Sequence, residues 1–387
     1  MPRRTHTKSR NGCLECKRRH IKCDEKHPIC SNCRSSERSC EYADRFIRAT
    51  RSQSSKSSTP SPAGPVQDEY PLGRLADPIS SDNPPVNMLH AELFFNLTEC
   101  ALHALSDGAN VWIGSADVMR IVIVTPYLMN AVLAMSALHL SIVRPEDREQ
   151  YKRHAAQLQT HALGIYNQMR LNVNKETCVP LFLFSCILGI HTLCDVLIHR
   201  EDGSFEEFLD RFIHSFRLQL GIRVVISGPT WHMLRESILK SPLQNGEIMF
   251  EWNTELGPDC ARLLELIEAA KLGDTITSTY RHAVQALQVS INASTRSSVN
   301  NVDGVTGWSI IVNPEYVEHL TLRRPEALVI LAHYAVLLHW HRHLWLFGDG
   351  GQFMIESISS YLGPDWEEWL AWPNRALREP NPRHTNI

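Results

Sequence analysis

Six of the chain's eleven cysteines, Cys13, Cys16, Cys23, Cys30, Cys33 and Cys40, fall within 28 residues. Their spacing is C-x2-C-x6-C-x6-C-x2-C-x6-C, and the second triplet repeats the first with an offset of 17. A C-x2-C step lets two thiolates converge on one tetrahedral ion, with Zn–S bonds of about 2.3 Å. Two separate tetrahedral zinc ions would need eight thiolates; six suffice when one cysteine from each half bridges both. Three disulfides are the competing chemistry and would suit a small secreted protein. The opening residues, Met1-Pro2-Arg3-Arg4-Thr5-His6, contain no apolar stretch of secretory type. That favours a reducing compartment, and metal over disulfides. So short a segment cannot bury enough apolar surface to fold unaided, so its metal is expected to be its core.

Lys17, Arg18, Arg19, His20 and Lys22 lie between Cys16 and Cys23. The whole chain, at 39 Lys+Arg against 42 Asp+Glu, carries a net charge of −3. Residues 1–60 hold 15 basic and 6 acidic groups, a net of +9, so the other 327 residues carry −12. Six thiolates and two zinc dications would together add −2 and leave the segment near +7. Such asymmetry points to a nucleic-acid-binding end joined to something else. The plainer reading of a basic run is a solvated charge cluster or an import signal, and Arg3, Arg4, Lys8 and Arg10 fit import or loose phosphate contact. A run held between metal ligands, however, has a fixed geometry.

The stretch Asn11-Gly12-Cys13-Leu14-Glu15-Cys16-Lys17-Arg18-Arg19-His20-Ile21-Lys22-Cys23-Asp24-Glu25 resembles the fungal zinc binuclear cluster (Zn2Cys6) family of transcription regulators. So does its continuation, His27-Pro28-Ile29-Cys30-Ser31-Asn32-Cys33 with Cys40. The resemblance implies two Zn2+, bridged by Cys13 and Cys30, with Cys16, Cys23, Cys33 and Cys40 each binding one. It implies a short helix that presents Arg19 and His20 to the base edges of a CGG-like triplet in the major groove of double-stranded DNA. His20 departs from the commoner Lys or Arg. Arg19 has the geometry for bidentate bonds to guanine O6 and N7. Lys17, Arg18 and Lys22 are then phosphate contacts, which position without specifying sequence. The resemblance further implies a cis peptide before Pro28.

These groups need elements to hold them. The expected organisation is a basic arm at 1–12, the Zn2Cys6 module at 13–40, a flexible Ser/Pro-rich linker at 41–87, an all-helical regulatory domain at 88–373 and a tail at 374–387. The fold class is thus a small zinc binuclear cluster module of two short helices, joined by a disordered linker to a large all-α regulatory domain. Residues 51–65 contain six serines and three prolines. No 3.5-residue apolar repeat occurs between Arg45 and Pro85, so a coiled coil is not expected there. A homodimer must then form through the helical domain, or the protein reads one half-site as a monomer.

Beyond Met88 the apolar residues recur at helical spacing, as in Tyr151, Ala155, Leu158, Ala162, Ile165 and Met169. Pro145, Pro258 and Pro325 are expected helix starts, Asp274 an expected cap, Ser204-Phe205-Glu206-Glu207 a capping box and Gly221 a stop. Short strands are expected at 222–226 and 309–312. Two uncharged runs, 121–143 and 178–194, approach the length of a membrane span. Thr125-Pro126, His139 and the serines in the first, and Pro180 and His191 in the second, favour buried core helices, so no membrane span is expected.

Residues 128–140 (LMNAVLAMSALHL), Arg144-Pro145-Glu146, 324–334 (RPEALVILAHY from Arg324) and 369–373 (WLAWP) resemble the regulatory domain of the sterol-uptake-control branch of those fungal regulators. That resemblance implies a sterol or other apolar ligand as a candidate partner.

Other constellations carry less. His339, His341 and His343 alternate on an expected helix, so all three cannot share one ion; His339 and His343 share a face, but no third ligand is evident. Cys100, Cys178, Cys186 and Cys194 sit in apolar runs, where thiols act as small hydrophobes. No nucleophile elbow, Walker loop or H-E-x-x-H is present, so an enzyme is not expected. Asp365-Trp366-Glu367-Glu368-Trp369-Leu370 has the composition of an activation segment, and equally of tryptophans packed on the domain. The sequence therefore predicts a nuclear, zinc-dependent, sequence-specific regulator of RNA polymerase II genes, an activator of a metabolic or biosynthetic pathway, with coregulators as further partners. The alternative is a regulator whose helical domain senses a sterol or lipid.

Overall fold

The computed structural model describes residues 12–26, 29–36, 38–40, 86–102, 114–169, 173–200, 203–225, 228–240, 243, 252, 254–296 and 303–379. Pro28, the basic groups ahead of Gly12 and all but the last two residues of the expected linker lie outside these. The chain divides into two units, Met1–Ser80 and Ser81–Ile387.

In the first unit, α1 (Leu14–Arg18) and α2 (Ser31–Ser35) are each little more than one turn. Helices so short do not persist by themselves. Each begins on a cysteine whose sulfur takes the place of a capping oxygen. Cys13 Sγ accepts from the Cys16 amide and Cys30 Sγ from the Cys33 amide, both at 3.4 Å.

The second unit comprises α3 (Met88–Asn96), α4 (Ala116–Val124), α5 (Pro126–Val143), α6 (Arg148–Gln168), α7 (Cys178–Ile198) and α8 (Phe205–Val225). It continues through α9 (Gly228–Arg235), α10 (Pro258–Ala269), α11 (Asp274–Arg296), α12 (Asp303–Ile311) and α13 (Pro314–Thr321). It closes with α14 (Pro325–Trp340), α15 (Gly350–Leu362) and α16 (Ala371–Ala376), which crosses the expected domain end at 373. No strand occurs among the described residues. Every side chain from Ala327 to Trp340 is buried, so α14 is apolar all round, as a helix enclosed on every side must be. It is packed by α11, α12, α13, α15 and α16, while α5 packs on α3, α4, α6 and α7, and α8 joins the two groups through α7, α12 and α13.

Several sequence expectations appear in atomic detail. Pro258 and Pro325 occupy first-turn positions. Pro145 opens a single 3-10 turn ahead of α6, and Asp274 is the first residue of α11 rather than its cap. The capping box is reciprocal: the Glu207 amide donates to Ser204 Oγ and the Ser204 amide to Glu207 Oε2, each at 3.2 Å.

Three expectations fail: both strands and the helix stop at Gly221. Residues 222–225 of the first expected strand complete α8, which runs straight through the expected stop at Gly221. Residues 309–311 of the second belong to α12. β-branched composition is a weak preference, and burial of the helix faces overrides it. In α8 the turns before Gly221 bury Phe208, Phe212 and Phe216; in α12, Trp308 is buried and stacks on Tyr334 with ring centroids 4.3 Å apart.

By length and composition, α5 and α7 could each cross a membrane, yet 72% and 61% of their most apolar windows are buried within the protein. The polar groups of α5 find protein partners. Asn96 Nδ2 donates to Ser136 Oγ at 2.7 Å, Ser136 Oγ donates to the Leu93 carbonyl at 2.6 Å, and His139 Nδ1 lies 3.3 Å from Asn96 Oδ1. Trp366 and Trp369 are half-buried against the core, and Leu370 is buried, which supports packing for the acidic-aromatic segment.

Candidate metal centre and nucleic-acid interface

Within 13–40 the sequence repeat is a structural repeat. The Cys13 amide donates to Cys23 Sγ at 3.4 Å and, 17 residues on, the Cys30 amide donates to Cys40 Sγ at 3.3 Å. The Lys17 amide bonds the Cys13 carbonyl as the Arg34 amide bonds that of Cys30. The two halves bring their sulfurs into two sets of four, Cys13/Cys16/Cys23/Cys30 and Cys13/Cys30/Cys33/Cys40, each with all sulfurs within 4.8 Å of one another. Cys13 and Cys30 belong to both.

The spacing suits zinc. A tetrahedron with Zn–S bonds of about 2.3 Å has sulfur–sulfur edges of about 3.8 Å. The distances Cys13–Cys30, Cys13–Cys33 and Cys16–Cys30 are 3.8, 3.7 and 3.6 Å. A disulfide would need about 2.05 Å, and all six cysteines are free. Among the described residues, these are the only groupings of His, Cys, Asp and Glu close enough to share an ion. His339 and Arg342 contact each other, His341 Nδ1 bonds the Leu337 carbonyl at 2.8 Å, and His341 and His343 lie beyond the end of α14.

Among the described residues of this unit, nothing else could serve as its interior. Five of the sulfur-bearing residues are buried, whereas Leu14, Ile21 and Ile29 are 48%, 39% and 43% exposed. Burial pushes the Cys16 thiol far up, helped by hydrogen bonds from Cys13 and Cys30, and raises Cys33 to about 12. The Cys30 amide holds Cys40 down, and at Cys30 the Cys33 amide and neighbouring thiols outweigh burial. Cys16 and Cys33 thus resist ionisation without a cation, and a divalent ion would supply the missing charge.

Lys17, Arg18, Arg19, His20 and Lys22 are all exposed, at the end of α1 and in the residues after it. His20 adopts φ 57°, and the Ile21 amide returns to the Cys16 carbonyl at 3.1 Å, so the chain turns sharply within the basic run. Four further residues organise this surface and were not singled out in the sequence. Glu15 pairs with Arg18 at 2.7 Å and with Arg38 of the other half at 3.3 Å. Ser36 accepts from Arg19 Nη1 at 3.1 Å, and Asn32 Nδ2 donates to the Lys22 carbonyl at 2.8 Å. A carboxylate embedded among cations was the visible sign of the first; the 17-residue offset, which maps Arg19 onto Ser36, was the sign of another.

Residues 11–49 match the fungal Zn(2)-Cys(6) binuclear cluster domain. Along most of its length the chain is similar to a Zn(2)-C6 fungal-type transcription factor of Gibberella zeae, 25% identical over 97% of this chain and 86% of the relative. It is likewise 25% identical to the Zn(2)-C6 fungal-type transcription factor afumD of Aspergillus fumigatus, over 87% and 86%. A shorter similarity, 52% over 40 residues, covers 10% of this chain and 6% of Sterol uptake control protein 2 of Candida albicans.

Proposed function

We propose how DNA is read by this chain, which carries a fungal Zn(2)-Cys(6) binuclear cluster domain and is a zinc-binding, DNA-binding transcription regulator rather than an enzyme. Two zinc ions would be held by six sulfurs, Cys13 and Cys30 being common to both sites and Cys16, Cys23, Cys33 and Cys40 each serving one. The metals supply charge and cross-links; the recognition belongs to the side chains. α1 points Arg19 and His20 at the base edges of a CGG-like triplet in the major groove. Arg19 forks onto guanine O6 and N7, while Lys17, Arg18 and Lys22 hold the phosphates. The observation that carries this reading is the pair of four-sulfur sets sharing Cys13 and Cys30, with an exposed basic turn directly after α1.

With it go a basic arm at 1–12, the DNA-reading module at 13–40, a linker at 41–87 and a regulatory domain that starts at 88 and, with α16, runs past the expected end at 373 before the tail. The chain acts in the nucleus as an activator of a metabolic or biosynthetic pathway, and the helical domain supplies homodimerisation and coregulator contacts. Competition binding across a triplet library at two salt concentrations tests the reading. Arg19→Ala is expected to lose discrimination among triplets. Lys22→Ala is expected to weaken all sequences alike and to flatten the salt dependence. Identical behaviour of the two variants rejects the assignment.

A second reading, that the helical domain takes a sterol or other apolar ligand, rests on the resemblance of residues 128–140, Arg144-Pro145-Glu146, 324–334 and 369–373 to the sterol-uptake-control regulatory domain. A rise in the melting temperature of the full chain with ergosterol supports it; an unmoved transition counts against it.

A further inference from the structure

The offset of 17 that relates the two cysteine triplets also relates Arg19 to Ser36, and each is the residue that ends its helix. The two meet, Arg19 Nη1 donating to Ser36 Oγ at 3.1 Å. Ser36 Oγ spends its own proton on the Asn32 carbonyl at 2.5 Å, which leaves its lone pairs to the guanidinium. Asn32 lies one turn earlier on the same face of α2, and its Nδ2 donates to the Lys22 carbonyl at 2.8 Å. One face of α2 therefore grips the basic stretch at two points, by the side chain of Arg19 and the backbone of Lys22. His20, at φ 57°, makes the bend between the two grips.

We propose that Ser36 and Asn32 are positioning residues for sequence recognition, with Ser36 holding the Arg19 guanidinium in its base-reading pose. The second cysteine half is then the template on which the first half's reader is set. The proposal rests on Arg19 being the base contact. A guanidinium has five N–H donors, and Ser36 occupies one, so a pair remains for guanine O6 and N7. A long free side chain loses rotamer freedom when it docks; one already held loses less, and the gain falls on the cognate triplet alone. Non-specific phosphate binding does not use this pose, so it is unaffected.

The test uses the full-length, zinc-loaded chain and fluorescence anisotropy with duplexes carrying CGG or a scrambled triplet, at two salt concentrations. Zinc per chain is measured in parallel. Ser36→Ala is expected to cut the preference for CGG by about fivefold, the size of one net hydrogen bond, with unchanged salt slope and zinc content. Ser36→Thr, which keeps the hydroxyl, restores the preference. In an Arg19→Ala background Ser36→Ala has no further effect. An unchanged preference in Ser36→Ala, or a loss that persists in full without Arg19, overturns the proposal. Asn32→Asp removes the donor to Lys22 at constant shape and decides the matter if Ser36→Ala sheds zinc: a lowered preference supports the template, an unchanged one overturns it. An Arg19→Ala chain as selective as the wild type instead rejects the reading of Arg19 itself, and the positioning role with it.

Discussion

Cys13 Sγ and Cys30 Sγ stand 3.8 Å apart and are the two sulfurs common to both four-sulfur sets. Removing either one leaves both sets with three sulfurs, whereas Cys16 belongs only to the first set and Cys40 only to the second. Cys13→Ser and Cys30→Ser are therefore expected to lose both zinc ions and all triplet-selective DNA binding. Cys16→Ser and Cys40→Ser are expected to retain one ion, more weakly held. Zinc per chain by atomic emission after gel filtration checks this; equal losses in all four variants would reject the bridging assignment.

Chelation separates the two units of the chain. The described part of the first has sulfur as its interior and leaves Leu14, Ile21 and Ile29 largely in water, so no apolar cluster among its described residues holds it once metal is gone. The second has a continuous apolar core with no metal grouping among its described residues. Excess chelator is expected to lower DNA affinity by at least about 100-fold, because metal binding and folding are one process in such modules. Helical circular dichroism and the main thermal transition are expected to stay, since the described residues of the first unit hold only two five-residue helices. Added zinc restores binding.

The chemistry of the first unit was legible in the sequence because metal ligands recur at fixed local spacing, and spacing is what sequence records. Local signals also served at Ser204, Pro258 and Pro325, where the cap or the missing amide lies within one turn of the residue that announces it. What misled was composition judged without its tertiary setting. The β-branched residues after Gly221 read as a strand, yet they continue α8, whose earlier turns bury Phe208, Phe212 and Phe216. The 17-residue offset makes Arg19 and Ser36 equivalent positions, but that the two meet shows only once the halves are folded onto their common sulfurs. The tryptophans at 366 and 369 fitted two readings by composition, and contact with the core is what favours packing.

Two glycines in similar helical settings are expected to respond oppositely to alanine. A Cβ on Gly351, at the start of α15, would come 2.3 Å from the His339 amide nitrogen and 2.6 Å from the Ala335 carbonyl of α14. Those are backbone atoms of the central helix and cannot swing aside, so α14 and α15 must separate. Gly351→Ala is expected to destabilise by about 3 kcal/mol or more. A Cβ on Gly164, inside α6, meets nothing within 4 Å. Gly164→Ala is expected to stabilise by about 0.5–1 kcal/mol through helix propensity alone. Thermal and urea unfolding of the full chain read both, and a Gly351→Ala chain as stable as wild type would refute the close crossing.

Acid should unfold the helical unit through its buried imidazoles. Burial lowers His139, His191 and His333 to about 4; at His191 the nearby Asp195 partly opposes burial while His199 adds to it. His333 Nδ1 is bonded to the Val329 carbonyl at 2.9 Å, within a helix that offers no water. In the unfolded chain each histidine titrates near 6.5. Between those values the unfolded state binds protons that the folded state refuses, so stability is full above about pH 6.5 and falls as pH drops toward 4. Below about 4 both states are protonated and this contribution levels off. Each histidine accounts for at most about 3 kcal/mol of the loss. The melting temperature of the full chain is therefore expected to fall steadily from pH 6.5 to 4.5. His333→Gln, which keeps a donor near the Val329 carbonyl but cannot titrate, is expected to make that fall shallower. A pH profile as steep in His333→Gln as in the wild type would assign the acid sensitivity to other groups.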